Sequence, residues 1–585
     1  MSPASETQPL LASDRPSSQR SNERADAEDE AILASQSKLT HTPRNKYGFW
    51  RELGLFVWAI VATAAVIVLA VYAQQQRRPA SGDGSRSKPS GKRNLIFMVS
   101  DGMGPASLSL TRSFRQHIQG LPIDDILNLD QHLIGSSRTR SSNSLVTDSA
   151  AGATAFSCGK KSYNGAIAVL PDHTACGTVL EAAKRAGYMT GLVVTTDITD
   201  ATPACFSSHV NLRIQDDAIA LQQVGDGPLG RVVDLMLGGG RCHFLPNGTA
   251  GGCRQDDVDV TQIAQEKYGW SYIDDRAGFD GLLDGTEARL PLLGLFAPTD
   301  IPFEIDRQTM EETYPSLDEM ARTALTALDI ASKDNDKGFF LMIEGSRIDH
   351  GGHFNDPAAQ VHEVLAYDKA FASVLAYLEG SDAEGAVIAT SDHETGGLAV
   401  ARQLTPSYPQ YKWLPEILAH ATHSSEYLTK QLYNHIRASD SIAPLDLKDF
   451  ISKQVEEGLG VYDATDTEIQ AVVDNLGSAL YVFSDMISRR AQIGWSTHGH
   501  SAVDVNIYGS AGASQLRGNH ENTEIGDFLR EYLEVDVEAI TKELNEKTKL
   551  FSNADISSWM GSPMTDEELR QLPDHHYDHL GTLVI

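Results

Sequence analysis

Four short, almost wholly apolar runs in this chain each stop at a cluster of acidic or histidine residues, and this repeated plan restricts the possible folds severely. Residues 94–100 (NLIFMVS) run into Asp101-Gly102-Met103-Gly104, and residues 190–196 (TGLVVTT) lead to Asp200-Ala201-Thr202-Pro203. Residues 338–343 (GFFLMI) precede Glu344 and then Asp349-His350-Gly351-Gly352-His353, while residues 386–390 (AVIAT) meet Ser391-Asp392-His393-Glu394. A strand that is apolar on both of its alternating faces must be covered on both sides, which is the habit of parallel sheets. Helical stretches at 177–186 and 356–378 supply the covering layers. The expected fold is therefore α/β, with a mostly parallel central sheet and helices on both faces. In such sheets ligands bind beyond the carboxyl ends of the strands, where all four polar clusters fall.

Several carboxylates crowded at neighbouring strand ends repel one another, and divalent cations are the natural resolution. His with Asp suits zinc, whereas Asp, Glu and hydroxyl oxygen suit magnesium. A solvated loop or a helix cap accounts for any one cluster. Four together, with His498-Gly499-His500 besides, point to a metal site. A fifth segment, Val146-Thr147-Asp148-Ser149-Ala150-Ala151-Gly152, sets a serine before a run of small residues. Such a serine suits a helix N-terminus, where backbone N–H groups and the dipole favour an anion and little bulk shields the hydroxyl.

The whole chain has 585 residues and a formal charge of −31, from 79 acidic and 48 basic side chains. Its length suits one large domain with insertions. Its charge excludes the basic footprint of a nucleic-acid binder, so no nucleic-acid partner is expected. A phosphate-bearing ligand must be drawn in by local cations against the global field. Residues 53–73 form an uncharged apolar run long enough to cross a bilayer once. Residues 1–52 are polar and poor in aromatics, and read as a disordered cytosolic tail. Within it Glu6-Thr7-Gln8-Pro9-Leu10-Leu11 has the form of an acidic dileucine signal for a sorting adaptor. Residues 74–93 read as a flexible linker. Flanking charges do not orient the span. The triplet Asn247-Gly248-Thr249, a glycosylation acceptor, and the nearby Cys242 and Cys253 favour a lumenal C-terminal part. With five cysteines, at least one stays unpaired.

The motifs Asp-Gly-Met-Gly (101–104), Thr-Asp-Ser-Ala-Ala-Gly (147–152), Asp-Ala-Thr-Pro (200–203), Glu-Gly-Ser-Arg-Ile-Asp-His (344–350), Ser-Asp-His-Glu-Thr-Gly-Gly (391–397) and Thr-His-Gly (497–499) resemble, in order, those of the alkaline phosphatases. With its tail and span the chain is similar to the vacuolar members of that family in fungi. The resemblance implies a phosphomonoester hydrolase of broad specificity at the vacuole membrane, holding two zinc ions and one magnesium ion per subunit. Ser149 is then the nucleophile that becomes phosphoserine, and Arg213 clamps the phosphoryl group. Asp101, Asp392 and His393 hold the zinc nearest Ser149; Asp349, His353 and His498 hold the second. Asp101, Thr202 and Glu344 hold magnesium. His498 and His500 are both candidate ligands, and the family frame selects His498. Asp200 and His350 stand behind the ligands, where their pairing would tune the third site.

The same resemblance sets the catalytic domain at 94–535, with a helical crown insertion over about 400–490 that helps a homodimer form. Helical patterning there centres on 426–436 and 447–457. Residues 536–585, which include Asp574-His575-His576-Tyr577-Asp578-His579, read as a solvated tail, removed by proteolysis in fungal relatives. A sulfatase would need Cys or Ser followed by x-Pro-x-Arg, but Ala150-Ala151-Gly152 follows Ser149. A phosphodiesterase would typically use threonine and lack the equivalent of Arg213. A membrane-anchored binding protein on a dead enzyme fold would not be expected to keep the serine, the arginine and the ligand set together.

Overall fold

A computed structural model of the chain describes residues 91–438, 444–550 and 559–561, together with Trp58 and Thr63. The chain divides into two units, Met1–Pro89 and Ser90–Ile585, and the second carries the sheet and the site. The expected tail, the apolar span at 53–73, the dileucine signal and the 574–579 cluster lie outside the described residues, Trp58 and Thr63 apart. Among the described residues no helix is long and apolar enough to cross a membrane.

The strands are β1 (Arg93–Val99), β2 (Leu133–Arg138), β3 (Met189–Asp197), β4 (Leu235–Gly239), β5 (Ser271–Ile273), β6 (Leu292–Leu295), β7 (Gly338–Glu344), β8 (Glu384–Thr390), β9 (Glu394–Thr395), β10 (His500–Ser501), β11 (Val505–Gly509) and β12 (Gly518–Glu521). Ten of them form one sheet in the order β12-β2-β11-β8-β1-β7-β3-β4-β6-β5, and β9 pairs with β10 separately. The ten-stranded sheet is parallel except at β11, which runs antiparallel to both of its neighbours. The four apolar runs of the sequence are β1, β3, β7 and β8, and they lie side by side as β8-β1-β7-β3.

Alternation along β1 explains its continuous apolar character. Leu95, Phe97 and Val99 enter one core with Phe156, Leu180 and Phe528. Ile96 and Met98 enter the opposite core with Met320, Leu328 and Phe371. Each such buried side chain contributes about 1.5–3 kcal/mol relative to exposure, so neither face tolerates a polar residue cheaply. The first core draws on helices Ser149–Cys158, Val179–Arg185 and Asn522–Leu533; the second draws on Leu317–Ala331 and Pro357–Gly380.

The insertion forms helices Pro415–Ala419, Ser425–Arg437, Pro444–Leu459, Asp466–Asp474 and Ala479–Ala491. Two of them start at side-chain caps: Ser424 accepts from the Tyr427 N–H and Thr465 from the Glu468 N–H. Their own apolar cluster, including Leu432, Ile451 and Phe483, is completed by Leu110 and Phe114 from helix Pro105–Gln119.

Disulfides and the C-terminal segment add to the sequence reading or depart from it. Cys242–Cys253 is a disulfide, and so is Cys158–Cys176, which ties down the last residue of the Ser149 helix; Cys205 is buried and free. The segment after 535 does not begin as a tail. Helix Val537–Leu550 buries Val537, Ile540 and Leu544 in the same core as Phe97. Farther on, the Met560 carbonyl accepts from the Asn211 backbone N–H at 2.8 Å. The spacing carries the signal, since 537, 540 and 544 lie on one face of a helix. Leu544→Ala should therefore cost about 2–4 kcal/mol in urea unfolding; a loss below about 0.5 kcal/mol, as at an exposed site, would show that the helix is not part of the core.

Candidate metal centre

Sheet register levels the strand ends. Val99 of β1 pairs with Glu344 of β7 and with Thr390 of β8, and Ile343 of β7 pairs with Val193 of β3. The residues just past these ends are thereby delivered to one edge. Close approach there depends on two glycines. At Gly102, with φ +73°, a Cβ would lie 2.5 Å from Asp349 Cα, and at Gly152 one would lie 2.9 Å from Asp392 Cβ. The first lets the Asp101 turn meet the Asp349 helix, and the second lets the Ser149 helix meet Asp392.

Ser149 is the first residue of its helix, 1 % exposed; the cap itself is Asp148, which accepts from the Ala151 N–H at 2.9 Å and the Gly165 N–H at 2.7 Å. Ser149 Oγ lies 3.1 Å from His393 Nε2. That nitrogen is also 3.2 Å from Asp392 Oδ2 and 3.6 Å from Asp101 Oδ1. The tautomer follows from the other side of the ring. Thr395 Oγ1 donates to Asp349 Oδ1, so at 3.2 Å it accepts from His393 Nδ1–H. The Nε2 lone pair is left facing Ser149, Asp392 and Asp101. Asp101 Oδ1 is buried and accepts no hydrogen bond.

A second group forms around Asp349, with His353 Nε2 at 3.2 Å from its Oδ2 and His500 Nε2 at 3.6 Å from its Oδ1. Backbone carbonyls take the outer nitrogens. His353 Nδ1 donates to the His498 carbonyl, and His500 Nδ1 to the Thr147 carbonyl at 2.8 Å. Two Nε2 lone pairs then face each other at 3.1 Å beside a carboxylate. Only a shared proton or a cation reconciles them, and a three-ligand His₂Asp set is of the kind that zinc takes.

This geometry corrects one ligand. His500, not His498, joins the group; the His498 ring packs on Tyr481 at 4.4 Å, and its Nδ1 donates to the His353 carbonyl at 2.9 Å. The reason is strand pairing: β10 sets His500 opposite Thr395, leaving His498 outside the pair.

At the third group Thr202 and Glu344 are both 2 % exposed, and Glu344 Oε2 accepts from Ser346 Oγ at 2.6 Å. Burial foremost pushes the Glu344 carboxyl up to about 8, with Asp200 adding to it and the Ser346 and Thr202 hydroxyls opposing. Burial and then Asp349 raise Asp392 to about 6. Asp101 is driven well above the carboxylate range by burial, then by Asp392, Asp349 and Glu344. Oxygen donors of this kind suit magnesium.

Arg213 completes the site. Its Nη2 donates to Asp200 Oδ1 at 2.7 Å, and its Nη1 lies 3.7 Å from Asp148 Oδ2, so the guanidinium is fixed beside the serine. Burial works against the Asp200 charge, but Arg213 and then His350 outweigh it and hold Asp200 below its ordinary value. His350 Nδ1 lies 3.3 Å from Asp300 and accepts from Arg347 Nε at 3.1 Å. Asp148, Asp300, Arg347 and Thr395 are supports that the sequence reading missed. Only Asp148, as an acidic residue just before a helix start, carried a signal of its own.

The sequence pattern of the family described as alkaline phosphatase matches residues 92–535. The chain belongs to the alkaline phosphatase family. The repressible alkaline phosphatase of Saccharomyces cerevisiae is 55% identical over 520 residues, covering 85% of this chain and 91% of the relative. The alkaline phosphatase of Thermus thermophilus aligns with a TM-score of 0.63 at 27% identity, over 79% of this chain and 96% of that one. A TAB5 alkaline phosphatase variant with magnesium bound in its M3 site gives 0.52 at 27% identity, over 76% and 99%. This alkaline phosphatase is therefore a metal-dependent phosphomonoester hydrolase, and its strand-end carboxylates and imidazoles fit the metal requirement.

A pH test follows from the raised carboxyls. With Glu344 at about 8 and Asp392 at about 6, the metal-free folded chain holds protons that the unfolded chain has lost. Its stability therefore falls as pH rises from roughly 5 to 8, because the unfolded state binds fewer protons there. Saturating divalent cations hold these groups ionised in the folded chain as well and remove that slope. Calorimetry of chelated and metal-loaded enzyme across that window reads the difference. A chelated Tm that stays level or climbs with pH would contradict the assignment.

Proposed function

We propose that Ser149 is the nucleophile of a broad-specificity phosphomonoesterase that works through a phosphoserine at a site for two zinc ions and one magnesium ion. The observation that carries this reading is Ser149 Oγ at 3.1 Å from the His393 Nε2 lone pair, inside the Asp101–Asp392 group and beside Arg213. Asp101, Asp392 and His393 would hold one zinc, Asp349, His353 and His500 the other, and Asp101, Thr202 and Glu344 the magnesium. When bound, these cations would favour ionisation of the serine hydroxyl and neutralise charge on the entering and leaving oxygens.

The chain's own groups do the rest. Arg213 presents two parallel N–H donors to the phosphoryl oxygens, a fork that lysine lacks. Asp200 and Asp148 keep it aimed, which lowers the cost of positioning. Ser149 Oγ bonds to phosphorus as the ester oxygen departs in line and leaves as the alcohol with a proton. Water then breaks the Oγ–P bond, releasing phosphate and returning a proton to the serine. Two displacements replace one difficult hydrolysis. Because these contacts address the phosphoryl group, many alcohols are acceptable leaving groups.

Ser149→Ala should lower phosphate release by at least about 10³-fold with metal content nearly unchanged. His500→Ala should lose about one metal equivalent, and His498→Ala should keep its full complement. Turnover by Ser149→Ala at the wild-type rate would end the nucleophile assignment; metal loss confined to His498→Ala would end the revised ligand set.

Location belongs to the same proposal. Residues 53–73 anchor the chain once, residues 1–52 face the cytosol, and the catalytic domain lies in the vacuole lumen, where it forms a homodimer through its crown. Two disulfides and an exposed Asn247 within the Cys242–Cys253 loop support an oxidising compartment. Glu6, Leu10 and Leu11 would engage the sorting adaptor. Replacing Leu10 and Leu11 with alanine should divert the protein from the vacuole membrane, as imaging of a tagged chain would read; an unaltered destination would remove the signal.

A further inference from the structure

A cavity of about 560 Å³, within the 300–1,000 Å³ typical of small-molecule sites, is bounded by Asn355 and His498, each two residues along the chain from a histidine of the second group. Tyr481, Trp495, His498, Asn355, Arg402 and Ser488 line it. Its wall is built rather than incidental. Trp495 Nε1 donates to Ser488 Oγ at 2.9 Å, and that hydroxyl donates to the Asn355 carbonyl at 3.2 Å. Asn355 Nδ2 in turn donates to the Gly352 carbonyl at 2.8 Å and the Thr497 carbonyl at 3.0 Å. The aromatic wall is thus fastened to the helix that carries Asp349 and His353. The His498 ring leans on Tyr481 at 53°, and Arg402 is neutralised by Asp485 at 2.7 Å. The lining offers flat faces with a polar, charge-balanced margin.

Direction follows from the chemistry. Ser149 enters beside His393, so an in-line displacement sends the leaving oxygen away from it, toward Asp349, His353 and His500. His498 stands two residues before His500, a span of at most about 7 Å. We infer that Tyr481, Trp495 and His498 form a leaving-group subsite for alcohols that carry a flat aromatic group some three or four bonds from the ester oxygen. Such a subsite would favour neither a ring attached directly to that oxygen nor a purely aliphatic chain, which brings no face to stack. This inference rests on Ser149 as the entering group. It adds selectivity that the phosphoryl contacts cannot supply, because they never touch the alcohol.

The test compares kcat/KM for propyl, phenyl and 3-phenylpropyl phosphates, using the full chain and its Trp495→Ala and Tyr481→Ala variants. The ratio of 3-phenylpropyl to propyl phosphate should be about five- to tenfold in the wild type, the size of one aromatic stacking contact. It should fall toward unity in both variants. Such ratios do not depend on the fraction of each preparation that is folded, so a merely structural role for these residues would leave them unmoved. 3-Phenylpropanol should compete with substrate in the wild type and lose at least about fivefold in affinity in the variants. A wild-type ratio near one, or a ratio unchanged by both substitutions, overturns the subsite while leaving the phosphatase reading intact. Failure to hydrolyse any of the three esters overturns both.

Discussion

Mutual repulsion among buried carboxylates is the constraint around which the catalytic end of this molecule is organised. Asp101, Asp349, Asp392 and Glu344 are each at most 6 % exposed and lie at adjoining strand ends. A fold that gathered them without compensation would hold them protonated or would not close. The folded chain instead directs imidazole lone pairs into the same volume. Thr395, the Thr147 carbonyl and the His498 carbonyl take the outer nitrogens of His393, His500 and His353, which leaves the inner nitrogens as acceptors. Carboxylates and imidazole nitrogens gathered in one buried volume define a place for cations, and the hydrophobic cores on either side of the sheet hold that place rigid.

Much of this was legible along the chain because it rests on local pattern. Continuous apolar runs reported strands buried on both faces, and each run ended at chemistry. That β8, β1, β7 and β3 would be neighbours was implied by function alone, since ligands of one site must meet. The order of the outer strands, the reversed β11 and the helix at Val537–Leu550 arise from long-range packing. The helix carried an apolar face, but a sequence read as a tail from family boundaries conceals such a face.

The exchange of His498 for His500 shows where local frames fail. The two histidines are separated by one glycine, and motif similarity favoured the first. What decides between them is the pairing of β10 with β9, a contact between residues about a hundred positions apart. His500 falls opposite Thr395, whose hydroxyl already touches both Asp349 and His393. The pair of strands is only two residues long, too short for its alternation to announce itself in the sequence.

His498 keeps a role although its ring stands outside the Asp349 group. Its carbonyl orients His353, while its ring faces away toward Tyr481 and the crown. One residue therefore touches two environments with different demands: a rigid ligand shell, which needs its backbone, and an open cavity, which uses its side chain. Side chains at such a junction can change the alcohol that is accepted while the backbone continues to hold the imidazole beside it. The crown insertion, hung through Asn355 on the helix that carries Asp349 and His353, supplies most of the facing wall. Phosphoryl chemistry sits at the sheet edge, whereas the proposed leaving-group wall joins Tyr481 of the insertion to Trp495 and His498 beside β10, so its side chains can vary while the His498 backbone still holds His353.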